Sequence, residues 1–253
     1  MSKIALITGA TSGIGRSTSF TLAREGYNLI LTGRRLTLLN DLSQELGNKY
    51  KIEVFPLNFD VRDRMQTENS LNNLPVNWQD IDLLINNAGL AVGLDPLNMG
   101  DTDDWERMVD TNIKGLLFVS RIVSDYMIKR GGGHIINIGS IAGKSVYPNG
   151  NVYCATKHAV DALSKAMMMD LYTHKIRVSQ ISPGAVETEF SQVRFKGDLE
   201  RAANVYKGFT PLCADDIAEI IRYVALSPAH VNICDIVVMP SAQASATMIN
   251  KNL

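Results

Sequence analysis

Short, nearly continuous apolar runs alternate along the chain with longer segments whose apolar residues recur at helical spacing. "KIALITG" (3–9), "YNLILTG" (27–33), "KIEVFPLNFD" (51–60), "IDLLINNAG" (81–89), "GHIINIGS" (133–140), "IRVSQISPG" (176–184) and "DIVVMP" (235–240) read as strands. Unbroken rather than alternating apolarity marks strands covered on both faces. Between them the pattern predicts helices over 13–26, 36–47, 63–74, 102–130, 151–173 and 214–226, the first stopping at Gly26. Strand–helix alternation with right-handed crossovers gives an α/β fold, a Rossmann-type doubly wound parallel sheet with helices on both faces. No change of composition marks a linker, so one domain is predicted over 1–253. The least regular stretch, 185–212, is of the kind that serves as a lid or binding loop in compact domains.

Composition narrows the function classes. Apolar residues make up 45% and charged residues 20% of the 253, the balance of an ordinary globular protein. The formal net charge is −1 with Lys and Arg scattered, so no basic stripe points to nucleic acid. No segment approaches the ~20 apolar residues that span a bilayer. The short N-terminal apolar run, followed at once by glycines, does not read as a secretion signal. Cys154, Cys213 and Cys234 lie far apart and form no CxxC pair, which points to a reduced setting and a cytoplasmic protein. His134, His158, His174 and His230 have no metal-ligand spacing, and no metal site is expected.

The first strand runs into "TGATSGIG", which places Gly9, Thr11, Ser12, Gly13, Ile14 and Gly15 at a strand–turn–helix junction. Glycines there permit a tight turn and close backbone approach, and the helix start offers free N–H groups to a pyrophosphate. The second strand ends in "TGRR". An acid near this point holds the ribose 2′-hydroxyl in NAD-binding folds. Here Arg34 and Arg35 follow Gly33, and arginine pairs with a 2′-phosphate where an acid repels it, which favours NADP. Both could instead be solvated residues of a helix start. Asp60 and Val61 close the third strand, where they flank an adenine ring, with helix capping the other reading of Asp60. In "NVYCATKHAV", Tyr153 and Lys157 are four apart and share one helical face.

With "TGATSGIG", "NNAG" (86–89), Ser140, Tyr153-x-x-x-Lys157 and "PG" (183–184) in this order, the chain resembles the short-chain dehydrogenase/reductase family over nearly its whole length. "TGRR", "NNAGLAVG", "HIINIGSIAG", "NGNVYCATK", "EFSQVRFKGD" and "PAHVNI" are similar to a narrower group, the NADP-dependent 3-hydroxy acid dehydrogenases. The resemblance implies a homotetramer or homodimer. It implies a catalytic set of Asn112, Ser140, Tyr153 and Lys157, with Asn112 holding a water that links Lys157 to solvent. It puts Asn87, Ala88 and Gly89 on the adenosine side and Pro183, Gly184, Val186 and Thr188 around the nicotinamide. A small 3-hydroxy acid, or its aldehyde or ketone, is the implied substrate. Cys154 stands where a small residue is usual, and the tail "SAQASATMINKNL" matches nothing.

Those roles have a physical rationale. A free tyrosine has a pKa of about 10 and is a poor base. A neighbouring ammonium favours the phenolate, so Lys157 is expected to make Tyr153 more acidic, within range of acid–base catalysis. Ser140 then hydrogen-bonds the substrate oxygen. The structural alternatives are strand-end capping for Ser140 and a helix-bending polar residue for Asn112. In "SQVRFKGD" (191–198), Arg194 is the first choice to fork a substrate carboxylate and Lys196 the second; a solvated surface charge is the alternative for both. Gly197 gives that segment freedom to close, Phe190 and Phe195 exclude water, and Ser145, Val146 and Tyr147 wall the pocket. Met167, Met168 and Met169 read as packing residues and Cys154 as an inert core thiol. Two other functions fit the same motifs: a broad carbonyl or 3-oxoacyl reductase, and a non-catalytic NADP sensor.

Overall fold

The computed structural model describes residues 2–252. Its seven long apolar runs form one sheet: β1 (Ile4–Ile7), β2 (Asn28–Gly33), β3 (Val54–Asn58), β4 (Ile81–Asn86), β5 (Gly133–Ile138), β6 (Ile176–Pro183) and a last strand Asp235–Val238. All neighbours are parallel, in the order β3-β2-β1-β4-β5-β6 followed by Asp235–Val238. The chain therefore winds outward from β1 in both directions. Such a reversal opens a crevice at the carboxyl ends of the strands, beside β1 and β4.

Successive side chains of a strand point to opposite faces. Leu6 and Ile7 thus fall into different cores, each sealed by its own helices. On one face α1 (Gly13–Arg24), α2 (Leu36–Tyr50) and a late helix, Ala214–Ala225, bring Leu22, Leu39 and Ile221 against Ile7, Leu31 and Ile136. On the other, α3 (Arg64–Asn72) and a helix over Leu116–Arg130 bring Leu71, Val119, Val123 and Met127 against Leu6, Leu84 and Val178. Met167 and Met168 pack on this second core, whereas Met169 is exposed. Each buried aliphatic side chain contributes on the order of 1.5–3 kcal/mol, so the two cores dominate the fold's stability.

The structure departs from the periodicity in three places. The helix predicted to end at residue 47 continues to Tyr50, because Lys51 rather than Gly47 takes the left-handed turn (φ 57) and returns its N–H to the Gly47 carbonyl at 3.1 Å. The single helix predicted over 102–130 is three pieces: α4 (Thr102–Val109), a wide π turn at Asp110–Gly115, and α5 (Leu116–Arg130). In that turn Asn112 leaves the helical pattern to bond another segment, and Gly115 lies so close to Val61 that an added Cβ would sit 2.8 Å from Val61 Cγ2. After α6 (Asn151–Leu171), the irregular stretch 185–212 contains β7 (Val186–Glu187), α7 (Phe190–Arg194) and α8 (Leu199–Asn204). β7 pairs in parallel with β8 (Leu212–Cys213), just ahead of α9 (Ala214–Ala225) and β9 (Asp235–Val238). The small pair ties the two ends of this segment together beside the crevice.

Candidate active site

A cavity of about 640 Å³ fills the crevice. Its floor is the turn after β1. Gly9 (φ 66) and Gly13 (φ 49) take left-handed conformations there, and an added Cβ on Gly13 would press on Thr188 at 3.3 Å. The cap of α1, Ser12, spends no side-chain bond on the helix, and no acid stands in the first turn. The first N–H groups of α1 are thus left to an anion, with no carboxylate to repel it. Thr11, Ser12, Gly13 and Ile14 line the cavity. Gly15 does not: it is where α1 crosses the Gly9 carbonyl and the Asn87 amide, with no room for a Cβ. Asn87 braces the turn, donating from Nδ2 to the Thr8 and Gly9 carbonyls at 2.9 and 3.1 Å. Thr8 Oγ1 in return accepts the N–H groups of Asn87 and Ala88 at 3.0 and 2.9 Å.

Arg34, Arg35, Asp60 and Val61 form one end of the cavity. Arg35 donates twice to Thr11 Oγ1, at 2.9 and 3.2 Å, and pairs with Glu189 at 3.4 Å. Asp60 is not a helix cap; Asp63 caps α3 through Gln66. Instead Arg62 grips the Asp60 carboxylate, with its closest contact at 2.6 Å, and Arg34 stands 4.0 Å away. Burial works to raise the Asp60 pKa, but the Arg62 hydrogen bonds outweigh it and hold the carboxyl below its usual range.

At the other end stand Ser140, Tyr153 and Lys157. Ser140 follows β5 and starts a short turn, its Oγ accepting the Ala142 N–H at 3.1 Å. Tyr153 and Lys157 lie one turn apart on α6, both buried, with Lys157 Nζ 6.0 Å from the Tyr153 ring centroid. The spacing on one face is as expected; the acidity is not. Burial drives the Tyr153 phenol well above its ordinary pKa, Tyr147 adds to the rise, and Ser140 and Arg194 pull it down without reversing it. Burial also lowers Lys157 to about 8, and its Nζ donates to the Ile138 carbonyl at 2.9 Å. In the protein alone, burial therefore favours the protonated phenol and weakens the neighbouring ammonium.

Asn112 does not line the cavity. Its Oδ1 accepts the Leu90 N–H at 2.9 Å, and its Nδ2 donates to the Leu90 carbonyl at 2.8 Å and to Thr156 Oγ1 at 3.0 Å. It stands directly behind Gly89, whose added Cβ would lie 3.3 Å from Asn112 Oδ1 and 3.6 Å from Lys157 Nζ. Asn87, Ala88, Gly89, Pro183, Gly184, Val186 and Thr188 all line the cavity.

The segment after β7 roofs the substrate end. Phe190 packs on Tyr153 with ring centroids 5.7 Å apart, and Phe195 also faces the cavity. Arg194 donates to Tyr147 Oη at 3.0 Å, while its Nε is buried without a partner. Lys196 is elsewhere: it pairs with Asp104 at 2.7 Å and Asp101 at 3.3 Å, outside the cavity. Those pairs, with the Gly93 N–H bonded to the Arg194 carbonyl at 3.0 Å, fasten the segment to the α4 side. Of residues 145–147 only Tyr147 faces the cavity, and Val146 is exposed.

Three lining residues come from parts of the sequence that gave no signal. Gln243, Ala246 and Ile249 belong to the C-terminal tail. Gln243 Oε1 accepts the Ala185 N–H at 2.8 Å and so pins the turn after β6. The tail has neither periodicity nor a motif, so only tertiary structure reveals it. Among the described residues no group of acids, histidines or cysteines has the arrangement of a metal site.

A parallel sheet whose central crevice joins a glycine-rich helix start to a serine, a tyrosine and a lysine is the architecture of dinucleotide-dependent oxidoreductases. The family model for short chain dehydrogenases matches residues 3–198, and the chain belongs to that family. It is 48% identical over 245 residues to a probable NADP-dependent dehydrogenase of Haemophilus influenzae, covering 96% of each chain. It is 42% identical to an NADP-dependent 3-hydroxy acid dehydrogenase of Schizosaccharomyces pombe, covering 98% of this chain and 96% of the relative. A solved structure of the closed form of a serine dehydrogenase complexed with NADP+ superposes with a TM-score of 0.91 at 43% identity, over 96% and 97% of the two chains.

Proposed function

We propose that the protein is an NADP-dependent dehydrogenase that interconverts small 3-hydroxy acids and their carbonyl forms. The residues present fit the cofactor: an uncapped helix start free of acids for the pyrophosphate, and two arginines where a 2′-phosphate falls. The cofactor, when bound, would supply the hydride acceptor or donor and, oxidised, a positive charge that favours ionisation of the phenol. Tyr153 takes the proton of the substrate hydroxyl in oxidation and returns it to the carbonyl oxygen in reduction. Ser140 donates to that oxygen and orients it. Lys157 holds the cofactor ribose and its charge favours the ionised phenol. Asn112, its amide committed to Leu90 and Thr156, supports the backbone behind the lysine rather than facing the substrate.

The observation that carries the substrate class is Arg194. A half-buried arginine whose Nε is buried and unpartnered, and whose guanidinium lies beside Tyr153, calls for an anion within reach of the reacting carbon. Lys196 has no part in this, its ammonium being held by two aspartates. We expect Arg194→Ala to raise KM for a 3-hydroxy acid at least ~10-fold, the loss of one charge-assisted contact, and KM for an uncharged alcohol far less. Equal effects on both would refute the carboxylate role. The same reading has the whole chain as one cofactor-binding domain, working in the cytoplasm as a homotetramer; exposed Leu117, Met169 and Tyr172 on and beside α5 and α6 support an interface there. Sedimentation of the purified protein tests that assembly.

A further inference from the structure

Two cations flank the Tyr153 ring, and they reach it from different elements. Lys157 belongs to the same helix, with Nζ 6.0 Å from the ring centroid. Arg194 belongs to the roofing segment, with Cζ 5.7 Å from the same centroid and 5.4 Å from that of Tyr147. They are not equivalent. The Lys157 ammonium is weakened by burial, to about 8, and is bonded to the Ile138 carbonyl. A guanidinium keeps its charge at any pH at which the protein stays folded. Arg194 forms no salt bridge among the described residues, and carboxylates of its own and the facing segment are engaged elsewhere: Glu189 pairs with Arg35, and Asp101 and Asp104 with Lys196. The Arg194 charge lies over the rings of Tyr147 and Tyr153 and is also felt by Tyr206, with one buried N–H unpartnered.

We infer that Arg194 is a positioning residue for the proton chemistry of Tyr153: its guanidinium, carried over the ring by the roofing segment, favours the ionised phenol. The inference rests on the reading of Tyr153 as the acid–base group. The other groups around that phenol are the Ser140 hydroxyl, Tyr147 and Cys154. Across a small cavity that Tyr153 also lines stand Asp95, Asp101 and Asp104, the last two sharing the single positive charge of Lys196. The roofing segment thus supplies part of the electrostatic field that lets the phenol give up its proton. A substrate carboxylate seated on Arg194 offsets part of that field, so a hydroxy acid and its uncharged ester place the same phenol under different charge.

The test compares a 3-hydroxy acid with its methyl ester in the oxidative direction, where the rising limb of kcat with pH reports deprotonation in the ternary complex. The limb is expected lower for the ester than for the acid in the wild type. In Arg194→Met the ester limb moves up by about half a unit to one unit, while Arg194→Lys keeps it near the wild-type position. The tyrosinate absorbance of the NADP+-bound protein without substrate, taken as the difference from Tyr153→Phe, should move upward in Arg194→Met in the same way. Arg194→Gln repeats the comparison should the methionine variant melt early. An ester limb and a tyrosinate titration unmoved in both neutral variants overturn the inference. If the limb moves but KM no longer distinguishes acid from ester in the wild type, the carboxylate reading falls and the inference stands; the converse pattern leaves the reading and removes the inference.

Discussion

Arg35 illustrates how much one side chain can decide. It follows β2 where an acid would select an unphosphorylated ribose, and it reaches back across the crevice to Thr11 while holding Glu189 on the far wall. A 2′-phosphate placed there gains charge-assisted bonds, but a free ribose hydroxyl gains almost nothing. Arg35→Ala is therefore expected to weaken NADP+ binding by about tenfold or more, the worth of one or two such bonds, and NAD+ binding hardly at all. Fluorescence titration of both nucleotides measures it, and a parallel loss of both would deny Arg35 the discrimination. Residues of this kind were legible because they sit at the end of a strand, where the pattern itself assigns direction. The acidity of Tyr153 was not legible. Spacing places Lys157 on its face, but whether the phenol becomes more or less acidic depends on its burial, with Phe190 packed on it from a segment far off in sequence, and on the opposing influences of Tyr147 and Arg194.

At the level of elements, periodicity located every long strand and helix and missed where one helix yields. Residues 102–130 carry an apolar repeat throughout, yet the π turn at Asp110–Gly115 divides them. The cause is tertiary: Asn112 satisfies both backbone groups of Leu90 and also Thr156, and a regular helix could not aim it there. Nothing in the composition of 110–115 announces a partner at residue 90. Removing the amide leaves a buried N–H and C=O without partners, a loss of about 1–3 kcal/mol. Asn112→Ala is expected to lower the urea midpoint accordingly and to reduce turnover, because its partners Leu90 and Thr156 directly adjoin Gly89 and Lys157 in the chain. A variant with unchanged stability would show the amide to be dispensable for the framework. The segment 185–212 is the opposite case: it was recognised as irregular, and its short elements α7, α8 and β7 are held by contacts such as Tyr206 to Val186 at 2.8 Å rather than by any repeat.

Over the whole molecule, the parallel sheet separates chemistry from stability by polarity. Carboxyl ends of the strands carry the cavity, while the amino ends are closed and can bury polar groups for packing alone. His134 stands at such an amino end, on β5 between β4 and β6, opposite Arg177 in the register. Its Nε2 meets Ser179 Oγ at 2.8 Å, its Nδ1 is buried without a partner, and burial, helped by the nearby Arg177 charge, lowers its pKa to about 3. The folded chain thus refuses a proton that the unfolded chain takes up below about 6.5. Its contribution is fully present above that value and is lost progressively as pH falls from about 6.5 toward about 3. At pH 5 the loss amounts to about 2 kcal/mol if the site acts alone. Urea unfolding at pH 7 and at pH 5 should show the wild type losing more stability than His134→Asn, by roughly that margin, since the other titrating groups are common to both proteins. Equal losses would mean that β5 opens or hydrates around His134 at low cost, and that the amino ends of the strands are less tightly closed than the two cores imply.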